Sequence, residues 1–380
     1  MLIKNGTLID AAIIGHADIL IKDGKIIRLE KRLPVPEGEE TVIDASGYVI
    51  MPSFVDMHVH LRDPGYPAKE TLETGVKAAV NGGYTHIIAM ANTNPVVDNP
   101  ETLSDIQARA KQLNLADVYQ CSSVTKGLKG EELVDFATMR KLTQFFSDDG
   151  KNINNKDIFV KALHASQEYN FTILDHSEPE PEMVARNLEL VAKEGGNLHL
   201  CHVSRKESML SVIKAKDKGV NVTVEVTPHH LYAYNLAYRV NPPFATEEDV
   251  NFLLTAIREG YVDCISTDHA PHTPEDKANG APGISGIEVA FGMVNKVFID
   301  NDISIHELSR LMSKNPRRML GLNDGYISSG NSADLVIVDF KNIGSVDPED
   351  FISKGKNTPF IGAETIGSIV HTIKEGVILK

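Results

Sequence analysis

Eight short apolar runs, separated by longer mixed stretches, constrain this chain more than any other feature. They are Phe54 to His60, His86 to Asn92, Ala116 to Ser123, Leu142 to Asp149, Phe171 to Ser177, Leu198 to Ser204, Asn221 to Pro228 and Val262 to Asp268. Runs with little polar alternation are what strands become when helices cover both faces of a parallel sheet. Eight is the number that closes a (β/α)8 barrel. The intervening pattern predicts helices: Lys69 to Asn81 stops at Gly82-Gly83, and Ser204-Arg205-Lys206-Glu207 reads as a capping box opening a helix to Lys218, with Gly219 as its stop. The Gly- and Pro-rich stretch from Asn279 to Gly286 is expected to form a loop over the barrel mouth.

The two ends read differently. Asp18 to Lys22, an Asp23-Gly24 turn and Lys25 to Leu29 form a hairpin pattern; Ala333 to Val338, Ser368 to Ile373 and a Glu375-Gly376 turn before Val377 have the same β character. The expected fold class is therefore α/β: a TIM-like barrel with a small β-sandwich domain formed by both chain ends. The expected division is 1–52 and 323–380 for the β domain and 53–322 for the barrel.

Charge narrows the function. With 52 acidic and 38 basic residues, the net charge of −14 disfavours nucleic-acid or anionic-membrane binding. No stretch approaches the roughly 20 apolar residues that span a bilayer. The three cysteines, Cys121, Cys201 and Cys264, are too few and too dispersed for a disulfide framework, which reads as a cytoplasmic protein.

Fourteen histidines matter only if several converge. His58 and His60 in Asp56-Met57-His58-Val59-His60 alternate onto one strand face. Asp149 ends the fourth run, His176 lies in the fifth, His202 in the sixth and Asp268 ends the eighth. In a barrel these ends share one rim. His58, His60, Asp149, His176, His202 and Asp268 would form a nitrogen and oxygen site suited to Zn2+, with one carboxylate shared by two metals. Such a pair activates water and polarises a carbonyl. Asp268 has a second expected task, carrying a proton from that water to a departing nitrogen. Lys161 could in principle bridge two metals as a carbamate, but Asp149 sits directly on the strand end and is preferred. His16, His86, His164, His199, His306 and His371 are read as surface or hydrogen-bonded core residues, and His229 and His230 receive no task. The Gly82-Gly83 pair lacks a phosphate-loop continuation.

At this point the sequence resembles the class I dihydroorotases of the cyclic amidohydrolase superfamily. The resemblance is carried by Phe54-Val55-Asp56-Met57-His58-Val59-His60-Leu61-Arg62-Asp63-Pro64-Gly65, Asn92-Thr93-Asn94-Pro95, Ser147-Asp148-Asp149-Gly150, Cys201-His202-Val203-Ser204, Val226-Thr227-Pro228-His229-His230-Leu231, Thr267-Asp268-His269-Ala270-Pro271-His272 and Asn357-Thr358-Pro359-Phe360. It implies reversible cyclisation of N-carbamoyl-L-aspartate to dihydroorotate in pyrimidine synthesis. It further implies one zinc on His58, His60 and Asp268, a second on His176 and His202, and Asp149 between them. Arg62, Asn92 and His272 would hold the carboxylate of a small anionic substrate. Guanidinium suits that task through paired hydrogen bonds, and Arg62 would share the face of His60 if the strand extends that far. A homodimer is expected, with association with another pyrimidine enzyme also open.

The chain departs from the family pattern at Ala245 after Asn241-Pro242-Pro243-Phe244, at Asn94 where Arg is common, and at Ser177 in place of Cys. Glu178 passes through Pro179-Glu180-Pro181 directly into a helix where relatives often carry a long loop. A hydantoinase or allantoinase would need other substrate contacts, and a non-catalytic partner protein would have no use for the full ligand set; both stay open as alternatives.

Overall fold

A computed structural model describes residues 1–38, 41–322 and 325–380. All eight runs contain strands. Phe54–Val59, Tyr84–Ala89 and Asp117–Gln120 form one parallel sheet; Phe145–Phe146, Thr172–Asp175, Leu198–Leu200, Val222–Val226 and Cys264–Ile265 form another. Single parallel bridges, Ser122 to Phe146 and Val59 to His269, join the two sheets into a closed ring. Closure is reinforced where the His60 N–H donates to His269 O at 2.8 Å. The first two strands are buried at every residue, which explains their largely apolar character; Asp56, His58, Thr85 and His86 are the polar residues within them.

The strands are shorter than the runs, chiefly at their C-terminal ends. Arg62 therefore does not continue a strand: the element stops at Val59, and Arg62 adopts a left-handed backbone with φ 57°. Helix Leu72–Asn81 begins under a Thr71 and Thr74 capping box, a turn later than expected. The second expected box does not form. Helix Lys206–Asp217 starts at Arg205 without a side-chain cap, because the Glu180 carboxylate accepts the Ser204 and Arg205 N–H groups at 2.8–3.1 Å and Asp249 accepts that of Lys206 at 2.8 Å. Neighbouring acids supply the charge that the helix terminus favours. Helix Glu180–Glu194 follows Pro179 directly, as the short segment after Glu178 implies.

Both ends of the chain share a six-stranded sheet, ordered Val377–Ile378, Glu364–Lys374, Leu335–Ser345, Val49–Pro52, Thr7–Ile9 and Ile14–His16. A four-stranded sheet, Lys25–Glu30, Asp18–Lys22, Leu2–Lys4 and Val42–Asp44, contributes Ile3, Ile19 and Ile26 to a core that also holds Ile50, Leu335, Ile337 and Ile373. This apolar layer is separate from the barrel core, in which Phe54 stacks on Phe291 at 5.5 Å. The expected 322/323 boundary adjoins residues 323–324, which lie outside the described residues.

Candidate metal centre

His58 lies inside its strand, whereas His60, Asp149, His176, His202 and Asp268 follow the ends of theirs by one to three residues. All six are buried at the C-terminal rim. His202 and Asp268 turn with positive φ, 38° and 47°, at a cost of roughly 1–2 kcal/mol each. Buried carboxylates brace the rim around Asp268 and Asp149. Asp56, from the first strand, accepts the Thr267 N–H at 3.0 Å, its hydroxyl at 2.5 Å and the His58 N–H at 3.1 Å. Burial pushes the Asp56 carboxyl up to about 7 against those hydrogen bonds. Asp148 accepts the Val124 and Thr125 N–H groups at 2.8 and 3.0 Å, which seats the neighbouring Asp149.

Asp149 is the centre of the arrangement. Its Oδ1 lies 3.3 Å from His58 Nε2, 3.5 Å from His176 Nδ1 and 3.9 Å from His202 Nε2, while Oδ2 lies 3.4 Å from His60 Nε2. Asp268 Oδ1 is 3.1 Å from His60 Nε2 and 3.5 Å from His58 Nε2. Tetrahedral bonds of ~2.0–2.1 Å would separate ligand atoms by roughly 3.3 Å, close to most of these spacings. Two potential metal groups share Asp149, His58-His60-Asp149 and Asp149-His176-His202; two more, His58-Cys201-Glu225 and His199-Glu225-Cys264, share Glu225. His58 Nε2 and Asp149 Oδ1 are buried without a hydrogen-bond partner. Buried polar atoms are rarely left so, and a cation between them would satisfy both. The donor set and these orphan atoms fit a divalent metal.

Electrostatics agrees with that fit. Burial would raise the Asp149 carboxyl, but His58, His176 and His202 hold it well below the ordinary carboxylate range. For His176, burial lowers the imidazole, yet Asp149 and Glu178 outweigh it and hold the metal-free ring up to about 10. The outer ring nitrogens are occupied elsewhere: His60 Nδ1 donates to Asn92 Oδ1 at 3.0 Å and His58 Nδ1 donates to Glu225 Oε1 at 2.8 Å. Both histidines then present Nε2 to the cluster.

A cavity of about 180 Å³ opens over the cluster and is lined by Arg62, Asn92, Asp149, Asp268, His272 and Gly283, among others. Arg62 reaches it despite leaving the strand, with Nε donating to Pro271 O at 3.3 Å. His272 Nε2 donates to Pro282 O at 2.8 Å, and Lys69 Nζ donates to His272 Nδ1 at 3.3 Å. Burial, with Arg62 and Lys69 beside it, pushes the His272 imidazole down to about 3. Asn92 is also at the rim, but its amide already engages His60 and donates to Asp149 Oδ2 at 3.2 Å. The stretch 279–286 does border the mouth. Its Gly283 has φ 133°, and an added Cβ would lie 2.6 Å from that of Ala270.

Lys161 is exposed on helix Lys156–Glu168, outside these metal groups. His16, His86, His164, His306 and His371 are absent from those groups. His230 is tied to Thr227 and Pro242 O, while His229 is buried with Nε2 unpartnered. A larger groove of about 710 Å³ lies at the opposite, N-terminal strand ends, near Asn114, Leu115 and Arg140, and contains none of the expected site residues.

Three residues escaped the sequence reading. Glu225 is buried behind His58; its signal was a lone carboxylate inside the apolar strand Val222–Val226. Lys69 had no signal beyond proximity to the first strand. Asn357, within a matching motif but given no task, accepts the His272 N–H at 2.7 Å and the Ser285 hydroxyl at 2.8 Å and donates to Ala270 O and Gly283 O.

Comparison with known proteins places this geometry in a family. Residues 47–181 match the dihydro-orotase-like family model and residues 160–379 the amidohydrolase family model. The chain is 42% identical to a dihydroorotase from Clostridium botulinum (strain Eklund 17B / Type B), covering 100% of this chain and 98% of that protein. It is 39% identical to a dihydroorotase from Thermoanaerobacter sp. (strain X514), covering 100% and 96%. In fold it is similar to the L-hydantoinase (dihydropyrimidinase) from Arthrobacter aurescens, with TM-score 0.90, 24% identity and coverage of 100% and 95%. Full-length similarity at this identity, joined to the clustered rim residues, shows that the chain belongs to the dihydroorotase family of amidohydrolases.

Proposed function

We propose that this chain is a zinc-dependent dihydroorotase that interconverts N-carbamoyl-L-aspartate and (S)-dihydroorotate. The observation that carries the reading is Asp149, placed within reach of four histidines that fall into two groups. In this proposal His58, His60 and Asp268 hold one zinc, His176 and His202 the other, and Asp149 bridges. When bound, the metals would supply an activated water and a polarised amide carbonyl at neutral pH.

The remaining work falls to side chains of the barrel, taken as 53–322, while 1–52 and 323–380 form the flanking β domain. Arg62, with its charge and fork of donors, receives the substrate carboxylate beside His272. His272, kept neutral, can offer or accept one hydrogen bond without opposing Arg62. Asn92 donates at the same wall and also holds His60 in register. Burial would raise the Asp268 carboxyl, but His58 and His60 hold it well below the usual range, so it enters ring opening as a base. It takes the proton of the attacking water and delivers it to the ring nitrogen as the C–N bond breaks; cyclisation runs these transfers backwards. The net charge of −14 makes Arg62 and Lys69 valuable at this rim, because an anionic substrate gains nothing from the surface at large.

The test is an assay in both directions with metal restored, alongside hydantoin and allantoin. Conversion of the dihydroorotate pair is expected; turnover of hydantoin or allantoin alone would move the chain to another cyclic amidohydrolase activity. The assembly we propose is a cytoplasmic homodimer, checked by mass in solution, and a fully active monomer would contradict it.

A further inference from the structure

We infer that Glu225 is a positioning residue shared by both halves of the metal centre: one buried carboxylate beneath the site orients a ligand of each metal, as Asp149 joins them above. The inference rests on the metal reading just given.

Glu225 lies within the strand Val222–Val226 and is 0% exposed. Its Oε1 accepts from His58 Nδ1 at 2.8 Å and from the His202 backbone N–H at 3.2 Å, and Oε2 lies 3.1 Å from His199 Nε2. A buried carboxylate is strongly destabilising unless its oxygens are satisfied, and here donors from two other strand segments satisfy it. The consequences differ at the two metals. At His58, Nδ1–H donation leaves the Nε2 lone pair directed at the cluster, 3.3 Å from Asp149 Oδ1. At His202, the N–H bond braces a backbone with φ 38°, and that turn delivers the ring to within 2.9 Å of His176. His199 steadies the second oxygen and is itself held by Thr223 Oγ1 at 2.8 Å. His199 thus acts at one remove, through Glu225.

A purely structural role would predict something else. It would lower the melting temperature of the metal-free protein and leave zinc affinity of the folded molecules unchanged. Orientation of metal-bound histidines by a carboxylate is worth about 10–100-fold in affinity.

The experiment measures zinc affinity and stoichiometry by chelator competition on metal-stripped, folded wild type, Glu225→Gln, Glu225→Ala and His199→Gln, with melting curves of each metal-free protein. Glu225→Gln keeps the shape and can still accept from His58 but loses the charge, so about 10-fold weaker binding is expected; Glu225→Ala should approach 100-fold. Both zinc ions should be weakened, and His199→Gln should weaken them less than Glu225→Ala. Wild-type affinity in folded Glu225→Ala, or weakening confined to one zinc, would overturn the inference. Should the Glu225 variants fail to fold, nitrogen-15 histidine NMR of zinc-loaded wild type decides: His58 protonated on Nδ1 and bound through Nε2 supports it, and binding through Nδ1 overturns it. A wild type that takes up no zinc would overturn the underlying metal reading, a result distinct from all of these.

Discussion

Replacing Arg62 with Met isolates the proposed grip on the substrate carboxylate. Met approximates the length of the Arg stem and meets the same left-handed backbone at φ 57°, so the conformational cost is nearly unchanged. Two Arg62 contacts are internal, Nε to Pro271 O at 3.3 Å and Nη2 to His272 Nε2 at 3.2 Å; the other guanidinium N–H groups are left for the substrate carboxylate in this proposal. Two charge-assisted hydrogen bonds at ~1.5 kcal/mol each, the low end of their range because the cavity is open to solvent, give about 3 kcal/mol and roughly a 150-fold loss in kcat/KM. Arg62→Lys should lose less, since it keeps the charge but not the fork. The assay follows ring opening of dihydroorotate at matched zinc content, because Arg62 is not among the ligands and metal binding should persist. A kcat/KM within about threefold of wild type, on the same ~3 kcal/mol argument, would refute the carboxylate role.

Four further outcomes follow from the same geometry. Asp268→Asn should keep most of the fold yet lose about 100-fold or more in turnover; near-normal kcat would sink the proton shuttle. Asp149→Ala should reduce bound zinc at both sites, read by elemental analysis, and loss of one zinc only would contradict its bridging place. Zinc uptake by metal-stripped protein should release protons and tighten with rising pH, since the metal-free His176 is held up to about 10 and must surrender its proton to bind; calorimetry in buffers of different ionisation enthalpy checks the sign, and proton uptake would contradict it. Asn357→Ala removes four hydrogen bonds that clamp Ala270, His272, Gly283 and Ser285, so KM should rise with zinc content unchanged, and an unchanged KM would reject that clamp.

The barrel was legible because a strand covered on both faces must be largely apolar, as Phe54–Val59 and Tyr84–Ala89 are apart from Asp56, His58, Thr85 and His86. The gathering of these six side chains was legible for a topological reason: parallel strands share one C-terminal rim, so residues spread from His58 to Asp268 needed only to lie at or just beyond the ends of their strands. Strand lengths were harder. Apolar residues continue into turns such as Cys201-His202, where left-handed backbone rather than hydrophobicity ends the element. For that reason Arg62 reached the cavity by a turn and not by strand alternation. The missing Ser204 cap has a different cause, since Glu180 and Asp249 come from other helices and no local pattern announces them. Glu225 and Lys69 likewise act through contacts made only after the barrel closes, His58 being 167 positions from the first and His272 203 positions from the second.

The most direct test of the central claim is a titration of chelator-stripped protein with zinc while ring opening of dihydroorotate is followed. The account predicts negligible turnover without metal and a rise that saturates at two zinc ions per chain. Full turnover in the stripped protein, or saturation at a single zinc, would contradict it.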